Sequence, residues 1–309
     1  NVIGKIYAGI ADDMLTTTIM ATTAPKYLCP AMNTEMYNNP ITQRNLEGLR
    51  SLGYHIMDPA EGWLACGITG VGRLPEPEAI VEWLESKMFS TNELEGTTIL
   101  VTAGGTQENI DPVRYIGNRS SGKMGYAIVD QAARMGAQVI LVSAPTSLPV
   151  PSGVDFVSVD SALSMQEAVE ARYNDVNVVI MAAAVSDFRA LHKAEQKIKK
   201  MESMTIELVK NPDILQGLGS KKSHQLLVGF AAETEHVIKY GQDKVARKNL
   251  DMLVANDVSK SNAGFNVDTN EGYFLYPDKE PKKMPNMKKS DLARHILKEV
   301  IELVANKQS

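Results

Sequence analysis

TAGGTQENIDPVRYIGNRSSGKMG, residues 102–125, follows the apolar run Ile99-Leu100-Val101 and precedes AIVDQAARMGA, whose apolar spacing is helical. Strand, glycine-rich polar loop and helix form the unit by which α/β proteins hold phosphates. Glycine lets backbone N–H groups approach an anion, and the helix N-terminus adds partial positive charge. Gly117 to Lys123 fits G-x-x-x-x-G-K, but Met124 stands where a P-loop needs Ser or Thr, and the loop begins well after its strand. The spacing of Gly104-Gly105-Thr106-Gln107 does not fit the dinucleotide fingerprint G-x-G-x-x-G. The stretch points to a nucleotide site of another kind; the alternative is a capped structural turn.

With 309 residues the chain can hold two domains. The net charge of -5 argues against a general nucleic-acid binder. No apolar run approaches the roughly 20 residues of a membrane span, and no signal peptide is visible. Cys29 and Cys66 are the only cysteines, which suits a reducing cytoplasm and supplies no disulfide framework. The chain opens at Asn1 with an apolar pattern already running, so it is expected to begin inside a domain.

Residues 1 to 90 read as a first block and 94 to 309 as a second, joined by the polar segment Phe89 to Gly96. In the first block, Asp12–Thr23 is expected to be helical, Lys26–Cys29 strand-like and Pro30–Tyr37 a loop. Ile41–Leu52 reads as a helix closed by Gly53, Tyr54–Met57 as a short strand and Glu78–Met88 as a helix. The segment from Leu64 to Pro77 is too rich in glycine and proline to be expected in regular structure. The second block alternates: strand 98–102, helix 122–135, strands 138–143 and 155–159, helix 161–173, strand 177–183, strand 205–209, a helix from Pro212, strand 226–230, helix 235–249 and strand 251–255. That order predicts a parallel, doubly wound sheet. Phe265–Val267 and Tyr273–Tyr276 read as a hairpin outside it, Asp278–Lys289 as a solvated loop, and Ser290 as the cap of a last helix.

Ligands of open α/β sheets lie beyond the carboxyl ends of the strands. Five loops reach that edge: 102–125, with Arg114, Asn118 and Lys123; Met181 to Arg189, with Ala182, Ala183 and Asp187; Gln196 to Lys200, with Lys197; Lys210 to Ile214, with Asn211, Pro212 and Asp213; and Gly229 to Thr234, with Phe230. Small residues at 182–184 would let a flat ring lie on backbone, though taken alone they read more simply as tight packing. Asp187 could take a ribose hydroxyl. Lys244 and Lys248 are four apart and share one helix face, which suits a polyphosphate between them or two solvated side chains. Arg114, Lys197, Lys244 and Lys248 without a His or Cys nucleophile suit nucleotidyl or phosphoryl transfer. In the first block, Cys66 lies in a glycine-rich loop, where a reactive thiol and a small buried hydrophobe are both open readings. Asn33 could bind a carboxylate or cap the next turn, and capping is the default.

Taken together these loops resemble bacterial phosphopantothenate–cysteine ligase. Asp111-Pro112-Val113-Arg114-Tyr115-Ile116, Asn118, Ser120 to Gly125, Ala183 to Val185, Asp187, Lys197 to Lys200, Lys210 to Ile214 and Gly229 to Thr234 match in order, within residues 94–307. The first block resembles the C-terminal half of the flavin-dependent phosphopantothenoylcysteine decarboxylase, through Pro30 to Met36 and Leu64 to Gly67. The resemblance implies a Rossmann-like, doubly wound ligase domain preceded by part of a flavodoxin-like flavoprotein domain. It implies attack of the 4'-phosphopantothenate carboxylate on CTP, an acyl-cytidylate, and its capture by the L-cysteine amine, with Mg2+ on the triphosphate. It further implies nucleotide contacts at Met181, Ala182, Ala183, Asp187, Asn211, Pro212, Asp213, Ile214 and Phe230, and phosphate contacts at Lys197, Lys244 and Lys248. Arg114 and Asn118 would act on the pantothenate half and the acyl-cytidylate. Asn33 would orient the decarboxylase substrate and Cys66 donate a proton. The flavin-phosphate loop and catalytic histidine of that family have no match, so FMN and decarboxylation are expected only of the full-length protein. A homo-oligomer is also implied, a ligase dimer with a decarboxylase trimer in the full-length protein. An NAD(P)-dependent oxidoreductase shares the alternation but lacks the fingerprint here; a trimerising scaffold role for the first block is compatible with the ligase.

Overall fold

The computed structural model describes residues 1–64, 67, 69–88, 91–200, 202–233, 236–257 and 269–308. The chain divides into two compact units, Asn1–Ser90 and Thr91–Ser309.

The first unit runs α1 (Val2–Ala8), α2 (Met14–Ala21), β1 (Tyr27–Leu28), α3 (Thr34–Asn38), α4 (Pro40–Ser51), β2 (His55–Ile56), β3 (Ala60–Trp63), β4 (Thr69–Arg73) and α5 (Pro77–Met88). Asp13 caps α2 in a reciprocal box with Thr16. Asn39 caps α4 and Pro40 opens it, where a missing N–H costs nothing. Strands β1 and β2 pair parallel, β3 and β4 antiparallel. Two expectations are corrected here. The segment 30–37 is not all loop, because Asn33 starts α3. The segment 64–77 does contain regular structure, in β4. Its glycines answer to close approach: a Cβ on Gly72 would stand 2.0 Å from Met32 O, and one on Gly70 2.4 Å from Thr34 Oγ1. Met32 N donates to Gly72 O at 2.8 Å, so the Asn33 segment lies on the β4 backbone.

The second unit runs β5 (Thr98–Ala103), β6 (Gln107–Asn109), β7 (Tyr115–Gly117), α6 (Lys123–Arg134), β8 (Gln138–Ser143), β9 (Asp155–Ser158), α7 (Ala162–Glu170), β10 (Val178–Met181), β11 (Phe188–Ala190), β12 (Leu208–Lys210), α8 (Ile214–Ser220), β13 (Leu226–Glu233), α9 (Val237–Arg247), β14 (Met252–Asp257), β15 (Thr269–Leu275), β16 (Lys282–Lys288) and α10 (Lys289–Gln308). The main sheet has the order β16-β15-β14-β13-β10-β5-β8-β9. Strands β9 through β14 in that order are parallel, and β15 and β16 add antiparallel at one edge. Near-continuous apolar runs in β5 and β10 are what a strand buried on both faces requires. Ile99 and Val101 face α6 and α10 through Ile128, Val129, Ile296 and Leu297. Leu100 and Val179 face the other layer, with Met165, Leu218 and Val245. Gly125 lets α6 approach β5, since a Cβ there would stand 2.6 Å from the Ala103 Cβ.

The edge departs from the sequence reading. Phe265–Val267 lies outside the described residues. Strand β15 pairs with β14 and so extends the main sheet, and its hairpin partner is β16, inside the segment expected to be a solvated loop. Lys282 and Lys283 are exposed while Met284 is 3% exposed. Lysines on an edge strand deter further pairing, and that charge masks the strand in the sequence. Of the expected strand 205–209 only Leu208 and Val209 lie in a strand, β12, which pairs with β11 away from the main sheet.

Candidate functional site

Strand order reverses direction between β5 and β10, and the loops leaving these neighbours are sewn together. Ala184 N donates to Gly104 O at 2.8 Å, and Thr106 N to Ala184 O at 3.2 Å. Buried Thr102 and Thr106 accept from Ala183 N and Ser186 N through their hydroxyls, at 3.1 and 2.9 Å. Asn118 Nδ2 donates to Val185 O at 3.2 Å and brings in the third segment. Gly105 permits this approach, because a Cβ there would lie 2.8 Å from Asn118 O.

Three cavities adjoin this seam. The first, of about 330 Å3, lies between Asn118, the first turn of α6, Ala182–Val185, Phe230 and Lys244, and reaches Asn256, Asn270 and Lys289. The second, of about 370 Å3, is walled by Met181, Asp187, Asn211–Leu215, Lys244, Arg247 and Lys248. Ala183, Val185, Asp187, Phe230 and Lys244 line both, so the two form adjoining compartments. A third, of about 680 Å3, lies on the far side of Asn118, Ser120 and Ser121, against Thr146.

Of the expected nucleotide residues, Met181, Ala182, Ala183, Asp187, Asn211, Pro212, Asp213, Ile214, Phe230, Lys244 and Lys248 line the first two cavities, and Asn118 lines the first. Lys197 and Arg114 line none of the three. Lys197 is exposed, while Arg114 pairs with buried Asp111. Asn33 caps α3 by accepting from Glu35 N at 2.8 Å. Cys66 lies outside the described residues. Burial pushes the Cys29 thiol up from its ordinary pKa.

Several roles were not legible beforehand. Asn211 is 5% exposed and clips two loops, donating to Ser186 O at 2.8 Å and accepting from Arg189 Nη1 at 3.0 Å. Asp213 is the cap of α8, through Gln216 N at 3.0 Å, and also pairs with Lys248. Burial opposes ionisation of Asp213, but Lys248 and the Gln216 N–H outweigh it and lower its pKa. Lys289 was read as part of a wet lysine run, yet it is 7% exposed at the start of α10. Among the described residues, no group of three or more His, Cys, Asp or Glu is placed to hold a metal ion, and no helix is long and apolar enough to cross a membrane.

A Rossmann-like sheet with cavities at its switch point, three lysines, an arginine and two carboxylates in one compartment, and an amide at the seam define an α/β protein equipped for an anionic nucleotide-sized ligand. The family described as DNA/pantothenate metabolism flavoprotein C-terminal domain matches residues 94–304, and the Flavoprotein family matches residues 1–89. The coenzyme A biosynthesis bifunctional protein CoaBC of Bacillus subtilis (strain 168) is 48% identical over 98% of this chain and 76% of its own length. Its counterpart from Escherichia coli (strain K12) is 45% identical over 97% of this chain and 75% of its own length. The crystal structure of the C-terminal domain of a CoaBC protein is similar with a TM-score of 0.61 and 44% identity, covering 70% of this chain and 100% of that one. The chain belongs to the CoaBC family of coenzyme A biosynthesis enzymes, with a ligase-type second unit behind a flavoprotein-type first unit.

Proposed function

We propose that the second unit joins 4'-phosphopantothenate to L-cysteine at the expense of CTP, in the cytoplasm. In the first step the pantothenate carboxylate attacks the α-phosphate, forming an acyl-cytidylate and releasing pyrophosphate. In the second, the cysteine amine attacks the acyl carbon, the amide forms and CMP leaves. The observation that carries this reading is the shared wall of the two cavities, where Lys244 and Phe230 meet Asp187 and Ala183. The base and ribose fit the compartment of Asn211–Ile214, and the phosphates fall to Lys244 and Lys248. The carboxylate then lies in the adjoining compartment, beside the Asn118 amide. An amide N–H there stabilises charge that builds on the acyl oxygen. Mg2+ is best read as arriving on the triphosphate, since it prefers substrate phosphates with one or two carboxylates; Asp187 and Asp213 are the carboxylates of that wall. Pyrophosphate release with phosphopantothenate, comparing CTP, ATP and no nucleotide, tests the reading; release independent of phosphopantothenate would refute it.

For the full-length protein we propose FMN-dependent decarboxylation of phosphopantothenoylcysteine, to which the first unit would contribute Asn33 to orient the substrate and Cys66 as proton donor. Asn33 is engaged as a helix cap, and Cys66 is outside the described residues. A ligase dimer, with a decarboxylase trimer in the full-length protein, completes the proposed assembly; sedimentation of residues 91–309 and of the full-length protein tests both.

A further inference from the structure

Between β11 and β12, residues 191–200 and 202–207 run without helix or strand, and Lys197 stands exposed among them. Such a segment orders a side chain only through its anchors. One anchor is Ala194 N, which donates to Ile110 O at 2.9 Å. Another is Ile198, next to Lys197. Its N–H donates to Asp111 Oδ2 at 3.1 Å, and its carbonyl accepts from Arg114 Nη2 at 3.0 Å.

Asp111 is fully buried. A carboxylate in that position is tolerated only when its oxygens are matched. Oδ1 accepts from Val113 N and Arg114 N, each at 2.8 Å, and Oδ2 from Arg114 Nε at 2.9 Å and Nη2 at 2.5 Å as well as from Ile198 N. The Arg114 fork, the largest influence, and the backbone donors hold the acid well below the usual carboxylate range despite burial. One ion pair, its acid buried and its arginine partly exposed, thus holds both backbone groups of a residue more than 80 positions away.

We propose that Asp111 is a positioning residue of the ligase site: with Arg114 it grips Ile198 by its N–H and its carbonyl and so fixes where Lys197 stands. This rests on the proposed ligase function and on the phosphate contact at Lys197 that the family resemblance implies. It assigns Arg114 an action through the loop.

The test is a double-mutant cycle on the first step, pyrophosphate release without cysteine. Asp111→Asn and Arg114→Lys are each expected to slow the single-turnover rate of pyrophosphate release by roughly 100-fold, as small misplacements of reacting groups do, with little change in the CTP concentration that half-saturates it. In a Lys197→Ala background each is expected to cost less than about threefold. Additive losses overturn the proposal. Arg114→Lys keeps an ion pair with Asp111 and guards against an Asp111→Asn chain that does not fold. Trypsin cleavage after Lys197, Lys199 and Lys200 in the folded protein is an independent readout, expected to quicken by about tenfold in Arg114→Lys as the segment opens; unchanged cleavage overturns the clamp whatever the chemistry. A wild-type chain that releases no pyrophosphate removes the ligase reading and Lys197's role with it. An active wild type with additive losses removes the positioning alone.

Discussion

Lys248 holds its ammonium 2.9 Å from both carboxylate oxygens of Asp213, on the wall of the compartment assigned to the nucleotide. An entering triphosphate competes with Asp213 for that charge. Hydrogen bonds to charged groups are worth roughly 1.5–3 kcal/mol. Lys248→Ala is therefore expected to raise the CTP KM by about tenfold or more, with a smaller effect on kcat. Steady-state kinetics check it, and an unaltered KM would take Lys248 out of the nucleotide site.

Asn118 ties the opening stretch to Val185 and presents its amide at the seam between cavities. Asn118→Ala is expected to leave some pyrophosphate release while amide formation stalls, because the acyl oxygen loses its donor in the second step. Quenched-flow analysis separates the two products. Amide formed at the wild-type rate would count against the role.

Gly125 is where α6 lies on β5. A methyl there would meet the Ala103 Cβ at 2.6 Å and Thr102 O at 3.0 Å, with backbone that yields little. Gly125→Ala is expected to destabilise the second unit by about 1–3 kcal/mol through overpacking. Denaturant unfolding measures it. A neutral or stabilising result would mean that the helix is free to shift.

The low pKa of Asp111 makes a statement about acid stability. Its folded pKa lies below the unfolded one, so its contribution is complete above the ordinary carboxylate pKa, about 4, and is lost as pH falls toward the folded value. The stability gap between wild type and Asp111→Asn is expected to narrow below about pH 4. Unfolding curves at stepped pH test the sign; a gap that widens in acid would contradict it.

The parallel core was legible because β5, β10 and β13 are apolar runs bracketed by glycine and polar loops, and a period of two sorts Ile99 and Val101 from Leu100. The edge was not, because β16 carries lysines on its solvent side and reads as a loop. Rim residues such as Asp187, Phe230 and Lys244 were legible because strand ends in such a sheet converge. The loop-clipping roles of Asn211 and Asp111 were not legible, since their partners, Ser186 O and Ile198 N, are backbone groups remote in sequence. Side-chain identity does not announce a backbone partner. Gly70 and Gly72 looked like turn residues for the same reason; what they accommodate is the Met32–Thr34 backbone and side chain.

The central claim is that one rim of the sheet activates a carboxylate on a nucleotide. The most direct measurement is mass spectrometry of a cysteine-free mixture of the chain, 4'-phosphopantothenate, CTP and Mg2+. The expected result is 4'-phosphopantothenoyl cytidylate with equimolar pyrophosphate, discharged to amide and CMP once L-cysteine is added. Amide formed with no cytidylate at any time, or with CDP and phosphate in place of CMP and pyrophosphate, would contradict it.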